Sequence, residues 1–280
     1  MDPSSTIAKN ILLTGCSSGI GRLAAVTLRE RGWRVFATVR RERDVAPLRE
    51  IGFEACRLDL ADSDSIREAL DWVLDRSGGR LDALFNNGAY GQPGALEDLS
   101  REALREQFEV NLFGTHELTR RVIPVMRAAG GGRIIQNSSV LGFVALKYRG
   151  AYIASKFALE GWTDTLRLEL AGSGIRVILI EPGPIATRFR ANGLAAFQRH
   201  IDAQGSIHRE AYRQEVARLG NETSGTPFTL PPEAVVRRLI HALESPRPRL
   251  RYRVTTPTRM FAILKRLLPA AWLDAILVRV

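Results

Sequence analysis

The sequence Thr14-Gly-Cys-Ser-Ser-Gly-Ile-Gly21 joins an apolar run, Asn10 to Thr14, to a segment from Ile20 to Arg31 that has apolar residues at helical spacing. A glycine-rich turn from a strand into a helix lets the backbone approach a pyrophosphate closely and offers it the free N–H groups of the helix start. The next apolar run, Arg34 to Val39, follows about twenty residues later, as a mononucleotide-binding unit requires. The stretch therefore predicts the first unit of a Rossmann-like sheet.

Strand-like and helix-like segments continue to alternate along the chain. We predict further strands at 53–58, 81–85, 133–137, 175–181 and 250–255, and helices at 63–76, 100–127, 151–172 and 231–242. The alternation predicts an α/β fold: a doubly wound parallel sheet in a single domain with a C-terminal helical extension. We divide the chain into a cofactor-binding and catalytic core (10–187), a substrate lid (188–228), where the apolar periodicity fades, and a C-terminal extension (229–280).

The long helix predicted at 100–127 contains two poor helix formers, Asn111 and Gly114. They interrupt an apolar stripe that we expect to be buried, namely Leu104, Phe108, Leu112, Val122 and Met126. Two interpretations stay open at this point. One is a local distortion of the helix with a functional use, and the other is a buried asparagine that only satisfies packing.

Tyr152 and Lys156 have the i, i+4 spacing that places two side chains on one face of the predicted helix 151–172. A neighbouring ammonium lowers the pKa of a phenol, so the pair can transfer protons, and Ser139 can orient the reacting group. The plainer interpretation is a surface pair on an amphipathic helix. Composition favours the functional one, because only four of the 40 basic residues are lysines, and a lysine here indicates a role that guanidinium cannot fill.

The composition of the whole chain narrows the class of protein. With 280 residues, 45% of them hydrophobic, the chain can bury a substantial core. The formal net charge is +10, but the arginines are spread along the chain without aromatic-interleaved basic runs, which argues against nucleic-acid binding. Two cysteines, no leader-like start and no long apolar run indicate a cytoplasmic protein. The histidines and cysteines lack metal-ligand spacing, so we predict no metal.

Several motifs together resemble the short-chain dehydrogenase/reductase family. They occur in the family's order and spacing between residues 10 and 187: TGCSSGIG, Asn86-Asn87-Gly88-Ala89, Asn111, Ser139, Tyr152-x-x-x-Lys156 and PGPIAT at 182–187. The glycine turn, the strand VFATVR and the basic C-terminal part are similar to the branch that holds hydroxysteroid and retinol dehydrogenases and related bacterial carbonyl reductases. One departure is Gly88-Ala89, where the family usually has Ala-Gly.

The resemblance implies an oxidoreductase that transfers a hydride between nicotinamide and a carbonyl or carbinol carbon. It implies that Tyr152 is the catalytic acid/base, that Lys156 lowers its pKa and binds the nicotinamide ribose, that Ser139 holds the substrate oxygen and that Asn111 supports a water relay. The rival hypothesis is a cofactor-sensing protein of the same fold without turnover. Such a protein would be expected to lack one of the serine, tyrosine and lysine.

The resemblance also implies a cofactor site. It places Asp59 at the adenine, and Ile185 and Thr187 at the nicotinamide amide. The complete set of expected cofactor-binding residues is Gly15, Ser17, Ser18, Gly19, Ile20, Gly21, Arg40, Asp59, Leu60, Asn86, Tyr152, Lys156, Ile185 and Thr187.

The end of the second predicted strand indicates which nucleotide binds. An NAD-selective site has an acidic residue there to accept from the ribose 2′-hydroxyl, but this chain has Val39 followed by Arg40 and Arg41. Guanidinium groups suit a 2′-phosphate, and Ser17 and Ser18 can add hydrogen bonds. We therefore predict NADP, with NAD as the alternative.

The C-terminal segment combines basic residues with apolar ones. A helix here would carry Phe261, Leu264, Leu268, Trp272 and Ile276 on one side. The segment is too short to span a bilayer, and we expect it to cap the substrate cleft, with contact to an anionic membrane surface as the alternative. A cap implies an apolar alcohol or carbonyl substrate, such as a steroid, retinoid or long-chain aldehyde. The sequence leaves a homo-oligomer open.

Overall fold

The computed structural model describes residues 8–220 and 227–279. Their strands form one parallel sheet in the order β3-β2-β1-β4-β5-β6-β7. The strands are β1 (Asn10–Leu13), β2 (Arg34–Val39), β3 (Glu54–Arg57), β4 (Ala83–Asn86), β5 (Gly132–Asn137), β6 (Ile175–Glu181) and β7 (Arg251–Arg253). The predicted doubly wound parallel sheet is confirmed.

Helices connect the strands and cover both faces of the sheet. They are α1 (Gly19–Glu30), α2 (Ala46–Glu50), α3 (Ser63–Ser77), α4 (Arg101–Phe108), α5 (Gly114–Ala128), α6 (Gly150–Glu169), α7 (Phe189–His200), α8 (Arg209–Gly220), α9 (Glu233–Glu244), α10 (Thr256–Leu267) and α11 (Ala270–Leu277). The sequence did not predict α7 and α8 within the lid segment. Their buried side chains are too few for an apolar stripe to show in the sequence. Residues 221–226 of that segment lie outside the described residues.

The core has two layers, one on each face of the sheet. Strand β1 contributes to both, because successive strand residues point to opposite faces. Ile11 and Leu13 pack in the layer that includes α1 and α9, whereas Leu12 packs in the layer that includes α3, α5 and α6. All three side chains are buried, as expected for a strand that is covered on both sides.

The predicted helix 100–127 is not continuous. Between α4 and α5 the residues Glu109–Phe113 form a turn of π-helix, so the local distortion that was one of the two interpretations of Asn111 and Gly114 is present, and its functional use stays a prediction. Gly114 allows the helix to touch the loop after β3, because a Cβ atom there would lie 1.8 Å from the Leu60 carbonyl oxygen. The predicted apolar stripe is partly wrong. Leu104 is exposed, and Gln107 is buried in its place.

The buried glutamine has a physical explanation. Gln107 accepts a hydrogen bond from the Gln92 backbone N–H at 2.6 Å and donates to the Tyr90 carbonyl oxygen at 2.9 Å. This part of α4 therefore satisfies the backbone of the loop after β4, and an apolar side chain could not do so. None of the described helices is long and apolar enough to cross a membrane.

Candidate active site

A cleft of about 1620 Å³ opens along the carboxyl edge of the sheet. Its lining includes residues that follow the ends of successive strands: Thr14 after β1, Arg40 after β2, Leu58 after β3, Asn87 after β4, Ser138 after β5 and Pro182 after β6. Open parallel sheets bind their ligands at this edge, near the point where the strand order reverses. Here that point lies between β1 and β4.

The glycine turn between β1 and α1 forms one part of the cleft wall. Gly15 and Gly19 have φ angles of 74° and 55°, a left-handed conformation that favours glycine. A Cβ atom at Gly21 would lie 2.2 Å from the Gly15 carbonyl oxygen, so the helix start can fold against the turn only with glycine there. No side chain caps the N-terminus of α1, and its first turn contains no acidic residue. The turn therefore fits a dinucleotide pyrophosphate.

Of the asparagine pair at the end of β4, one residue lines the cleft and the other lies beneath it. The Asn86 side chain donates to the Thr119 hydroxyl at 2.8 Å in the interior and does not line the cleft, so its contact with a cofactor stays a prediction. Asn87 lines the cleft instead and donates to the Thr14 carbonyl oxygen at 3.0 Å. Side chains alternate along an extended strand end, and the sequence alone did not show which of the two faced the cleft. The backbone of Gly88 lies against Gly15, where glycine gives the closest approach.

Three predicted catalytic residues line the cleft together. Ser139 begins the short helical turn after β5, and Tyr152 and Lys156 lie one turn apart on the buried face of α6. Tyr152 is 9% exposed and Lys156 is 2% exposed. The Lys156 ammonium donates to the Asn137 carbonyl oxygen at 2.9 Å and lies 5.7 Å from the centre of the Tyr152 ring. The interpretation of a solvated surface pair is therefore wrong.

The pKa values of the pair differ from the expectation. Burial raises the pKa of Tyr152 to about 12, and the Ser139 hydroxyl opposes this only in part. Burial also lowers the pKa of Lys156 to about 8, which the nearby Glu160 carboxylate counteracts. The predicted lowering of the tyrosine pKa by the lysine is thus absent in the protein alone, because desolvation dominates at both groups. At neutral pH Tyr152 is a protonated phenol.

Asn111 does not line the cleft, although it is 1% exposed and close beneath it. Its side-chain amide donates to the Tyr90 carbonyl oxygen and to the Ser155 hydroxyl, both at 3.0 Å. Its carbonyl oxygen accepts from the Tyr90 backbone N–H at 3.2 Å. Asn111 therefore joins the π-helical turn to α6 and to the loop after β4, and its place in a water relay stays a prediction.

Most of the predicted site residues lie together on the cleft wall. Those that line it are Gly15, Ser17, Ser18, Gly19, Ile20, Arg40, Asp59, Leu60, Ser139, Tyr152, Lys156, Ile185 and Thr187. Gly21, Asn86 and Asn111 support the wall from behind. Sequence reasoning missed Asn87, Asn137 and Phe189. The position of Asn137 at the end of a predicted strand was a signal that could have identified it.

The lid contributes an aromatic contact to the catalytic centre. Phe189, at the start of α7, packs edge-to-face against Tyr152 with ring centres 5.3 Å apart. Apolar side chains that include Leu141, Leu146 and Leu219 also line the cleft. Farther along the wall, Arg149 and Arg218 share the carboxylate of Glu215.

The C-terminal helices do not cap this cleft, because none of the described residues of α10 and α11 lines it. Phe261 and Leu277 pack instead against Val144, in the loop behind the cleft wall. The predicted cap is therefore wrong. Pro269 separates the two helices, so Trp272 and Ile276 do not continue the buried face of α10 and are exposed.

The model of the short chain dehydrogenase family matches residues 9–196. The oxidoreductase YbbO of Escherichia coli (strain K12), named uncharacterized, is 42% identical over 270 residues, which cover 96% of this chain and 94% of its own. Human 17-beta-hydroxysteroid dehydrogenase type 1 is 33% identical over 88% of this chain and 77% of its own. A short chain dehydrogenase from Burkholderia cenocepacia J2315, solved in complex with NADP, aligns with a TM-score of 0.73 and 25% identity, over 96% of this chain and 97% of its own.

The chain belongs to the short-chain dehydrogenase/reductase family. It is an NAD(P)-dependent oxidoreductase of that family, and its relatives include members of the hydroxysteroid and retinol dehydrogenase branch.

Proposed function

We propose that this protein is an NADP-dependent oxidoreductase that interconverts a carbonyl group and an alcohol on an apolar substrate. The observation that carries the proposal is that Ser139, Tyr152 and Lys156 line the same cleft as the glycine turn. A non-catalytic cofactor sensor has no need for a buried phenol, ammonium and hydroxyl together, since each costs free energy to desolvate. The hydride itself comes from, or returns to, the bound nicotinamide.

In the reducing direction Tyr152 acts as the acid. With a pKa of about 12 the phenol is protonated at neutral pH and can donate its proton to the carbonyl oxygen of the substrate. The Ser139 oxygen already accepts a hydrogen bond from the Leu141 backbone N–H at 3.1 Å, so the Ser139 hydroxyl acts as a donor and can donate its proton to the same substrate oxygen. The Lys156 ammonium stabilises the negative charge that develops on the phenol.

The lining next to Tyr152 supports an apolar substrate. Phe189, Leu141 and Leu219 offer apolar surface, and burying a hydrocarbon body there contributes about 25 cal/mol per Å². The human relative is named for a steroid substrate, which is apolar with a single reacting oxygen. We therefore propose a steroid, a retinoid or a long-chain aldehyde or ketone as the substrate class.

The strand β2 supports NADP over NAD. The last residue of the strand is the buried Val39, which has no carboxylate to accept a hydrogen bond from a ribose 2′-hydroxyl. Arg40 and Arg41 follow, line the cleft and have side chains without a hydrogen bond or ion pair to any described residue. Two free guanidinium groups at this position fit a 2′-phosphate.

We expect Arg40→Ala to lower kcat/KM with NADPH about tenfold or more while changing kcat/KM with NADH little, since a charge-assisted hydrogen bond contributes about 1.5–3 kcal/mol. The measurement is the rate of nicotinamide absorbance change with both cofactors over a panel of apolar carbonyl compounds. Arg120→Ala, at an exposed position on α5, is the matched control. Equal kcat/KM for the two cofactors in the unmodified protein would refute the NADP preference.

The pKa of Lys156 predicts the pH dependence of the reduction. A lysine with a pKa of about 8 is cationic below that pH and neutral above it, so its stabilisation of the phenolate is lost as the pH rises through about 8. We expect kcat/KM for the reduction, which reports the groups of the free enzyme, to fall over this range while Tyr152 stays protonated. Assays of kcat/KM for NADPH against pH test this, and a constant kcat/KM through pH 8 would contradict it.

A further inference from the structure

The last two helices expose a row of large apolar side chains. On the described residues of this segment Leu267 is 73% exposed and Trp272 is 67% exposed. The complete set is Met260, Ile263, Leu267, Trp272, Ile276 and Val278, which we call the C-terminal ridge. Single exposed apolar residues are common on soluble proteins, but six within nineteen residues indicate a surface that is covered in use.

A cavity of about 710 Å³ lies beside α10 and is lined almost entirely by arginines. Its residues are Arg238, Arg249, Arg251, Tyr252, Arg253, Arg259 and Arg266, which we call the arginine cavity. Carboxylates compensate part of this charge. Arg251 binds Glu160, Glu181 and Asp164, and Arg253 lies 3.3 Å from a Glu181 oxygen.

Three guanidinium groups of the cavity have no such compensation. The side chains of Arg238, Arg249 and Arg266 form no hydrogen bond or ion pair with any described residue. They come from three separate elements: α9, the loop before β7, and α10. Positive side chains that converge from different elements without counter-charges favour an anionic partner.

On α10 the ridge and the arginine cavity lie side by side. An α-helix has about 3.6 residues per turn, so Met260, Ile263 and Leu267 lie along one side of α10. Arg259 and Arg266 are seven positions apart and form a parallel row on the flank of that side, where they also line the cavity. A partner that covers the ridge therefore meets the arginines as well.

The positive charge of this surface distinguishes among the partners that could cover it. In a symmetric contact between two copies the same surface meets itself, so the arginine rows of both copies would lie close together and repel. The chain from 247 to 279 contains eight basic residues and one acidic residue, Asp274. A second copy is therefore a poor match. The surface of a bilayer with anionic lipids offers both phosphate groups and an apolar interior.

We propose that the C-terminal ridge and the arginine cavity together dock the protein on the surface of a membrane that contains anionic phospholipids. The arginines of the cavity bind the phosphate groups of the lipids, and Leu267 and Trp272 enter the boundary between headgroups and acyl chains. The contact is peripheral, and it combines electrostatic attraction to the lipid phosphates with the burial of apolar side chains.

The test is co-sedimentation of the full chain with vesicles of phosphatidylglycerol and phosphatidylcholine, against vesicles of phosphatidylcholine alone. We expect binding to the anionic vesicles only, weakened by salt, with a blue shift of tryptophan fluorescence from Trp272. The triple variant Arg238→Gln, Arg249→Gln, Arg266→Gln should bind about a hundredfold more weakly, since each basic residue near an anionic surface contributes about fivefold.

Matched variants distinguish vesicle binding through this site from attraction by the general positive charge of the protein. The control triple Arg101→Gln, Arg120→Gln, Arg127→Gln removes the same charge from exposed positions on α4 and α5 and should bind much more tightly than the cavity triple. Leu267→Ser should weaken binding, whereas Leu168→Ser, at a position 74% exposed on α6, should not. Thermal melting checks that every variant is folded.

Three results would overturn the proposal. One is equal weakening by the two arginine triples, which would indicate unspecific attraction. Another is binding of inorganic phosphate in calorimetry without any binding to vesicles, which would assign the cavity to a soluble anion. The third is a dimer in light scattering that Leu267→Ser dissociates, again without vesicle binding, which would assign the ridge to a second copy.

Discussion

Replacing Tyr152 with phenylalanine is expected to lower kcat by about 10²–10⁴-fold, the usual contribution of a positioned acid or base. The change removes only the hydroxyl group, and the ring keeps its edge-to-face contact with Phe189. Binding of NADPH, followed by protein fluorescence, should persist. The expected result is therefore a folded protein that binds cofactor and substrate but turns over very slowly.

Tyr148→Phe is the matched control for this variant. This variant also loses only a hydroxyl group. The Tyr148 hydroxyl makes a long contact of 3.4 Å to a His208 ring nitrogen, and Tyr148 does not line the cleft. It should keep kcat within about twofold. If the Tyr152 variant kept more than about a tenth of kcat, the barrier would have risen by less than about 1.4 kcal/mol, and Tyr152 would not be the acid/base.

Replacing Lys156 with arginine is expected to lower kcat at least about a hundredfold, although the positive charge is kept. The ammonium lies in a buried position and donates to the Asn137 carbonyl oxygen at 2.9 Å. A guanidinium group is larger and planar, so it displaces its neighbours and cannot place a compact charge beside the phenol. The loss should appear in kcat and also in KM for the cofactor.

Lys9→Arg is the control for the lysine substitution, because Lys9 is exposed and does not line the cleft. It should leave kcat and KM unchanged. Full activity of Lys156→Arg would show that only a positive charge is needed at this position, so that the rarity of lysine in the chain would not indicate a special role for Lys156.

The sheet could be predicted because its strands are covered on both faces and therefore appear as short apolar runs. Arg34–Val39 and Ile175–Glu181 were predicted to the residue. The glycine turn was also predictable, because the left-handed conformation of Gly15 favours glycine and a Cβ atom at Gly21 would collide with the turn. These constraints are local, so the sequence shows them directly.

Features that depend on contacts between distant segments could not be predicted in this way. Gln107 is buried because it satisfies the backbone of residues 90–92, in a separate loop 15 to 17 positions earlier in the chain. The outward turn of Trp272 depends on how α11 restarts after Pro269 and on the loop at Val144. Apolar spacing on one continuous helix does not describe either case.

The catalytic centre could be predicted from the sequence only in part. The shared face of Tyr152 and Lys156 followed from helical spacing, but the position of Ser139 beside them followed from the resemblance to the family, and the structure brings all three into one cleft. The raised pKa of Tyr152 was not predictable, because burial depends on the whole cleft, including the lid residue Phe189.

The most direct test of the proposed carbonyl reduction follows the transfer of the hydride from the cofactor to the substrate. The protein is incubated with an apolar aldehyde or ketone and NADPH that carries deuterium at nicotinamide C4, and the alcohol is analysed by mass spectrometry. We predict that deuterium appears on the carbinol carbon of the product, and that the Tyr152→Phe variant forms little of this product. An alcohol without deuterium, from cofactor labelled on either face of the ring, would contradict the claim, as would the absence of any product across the carbonyl panel.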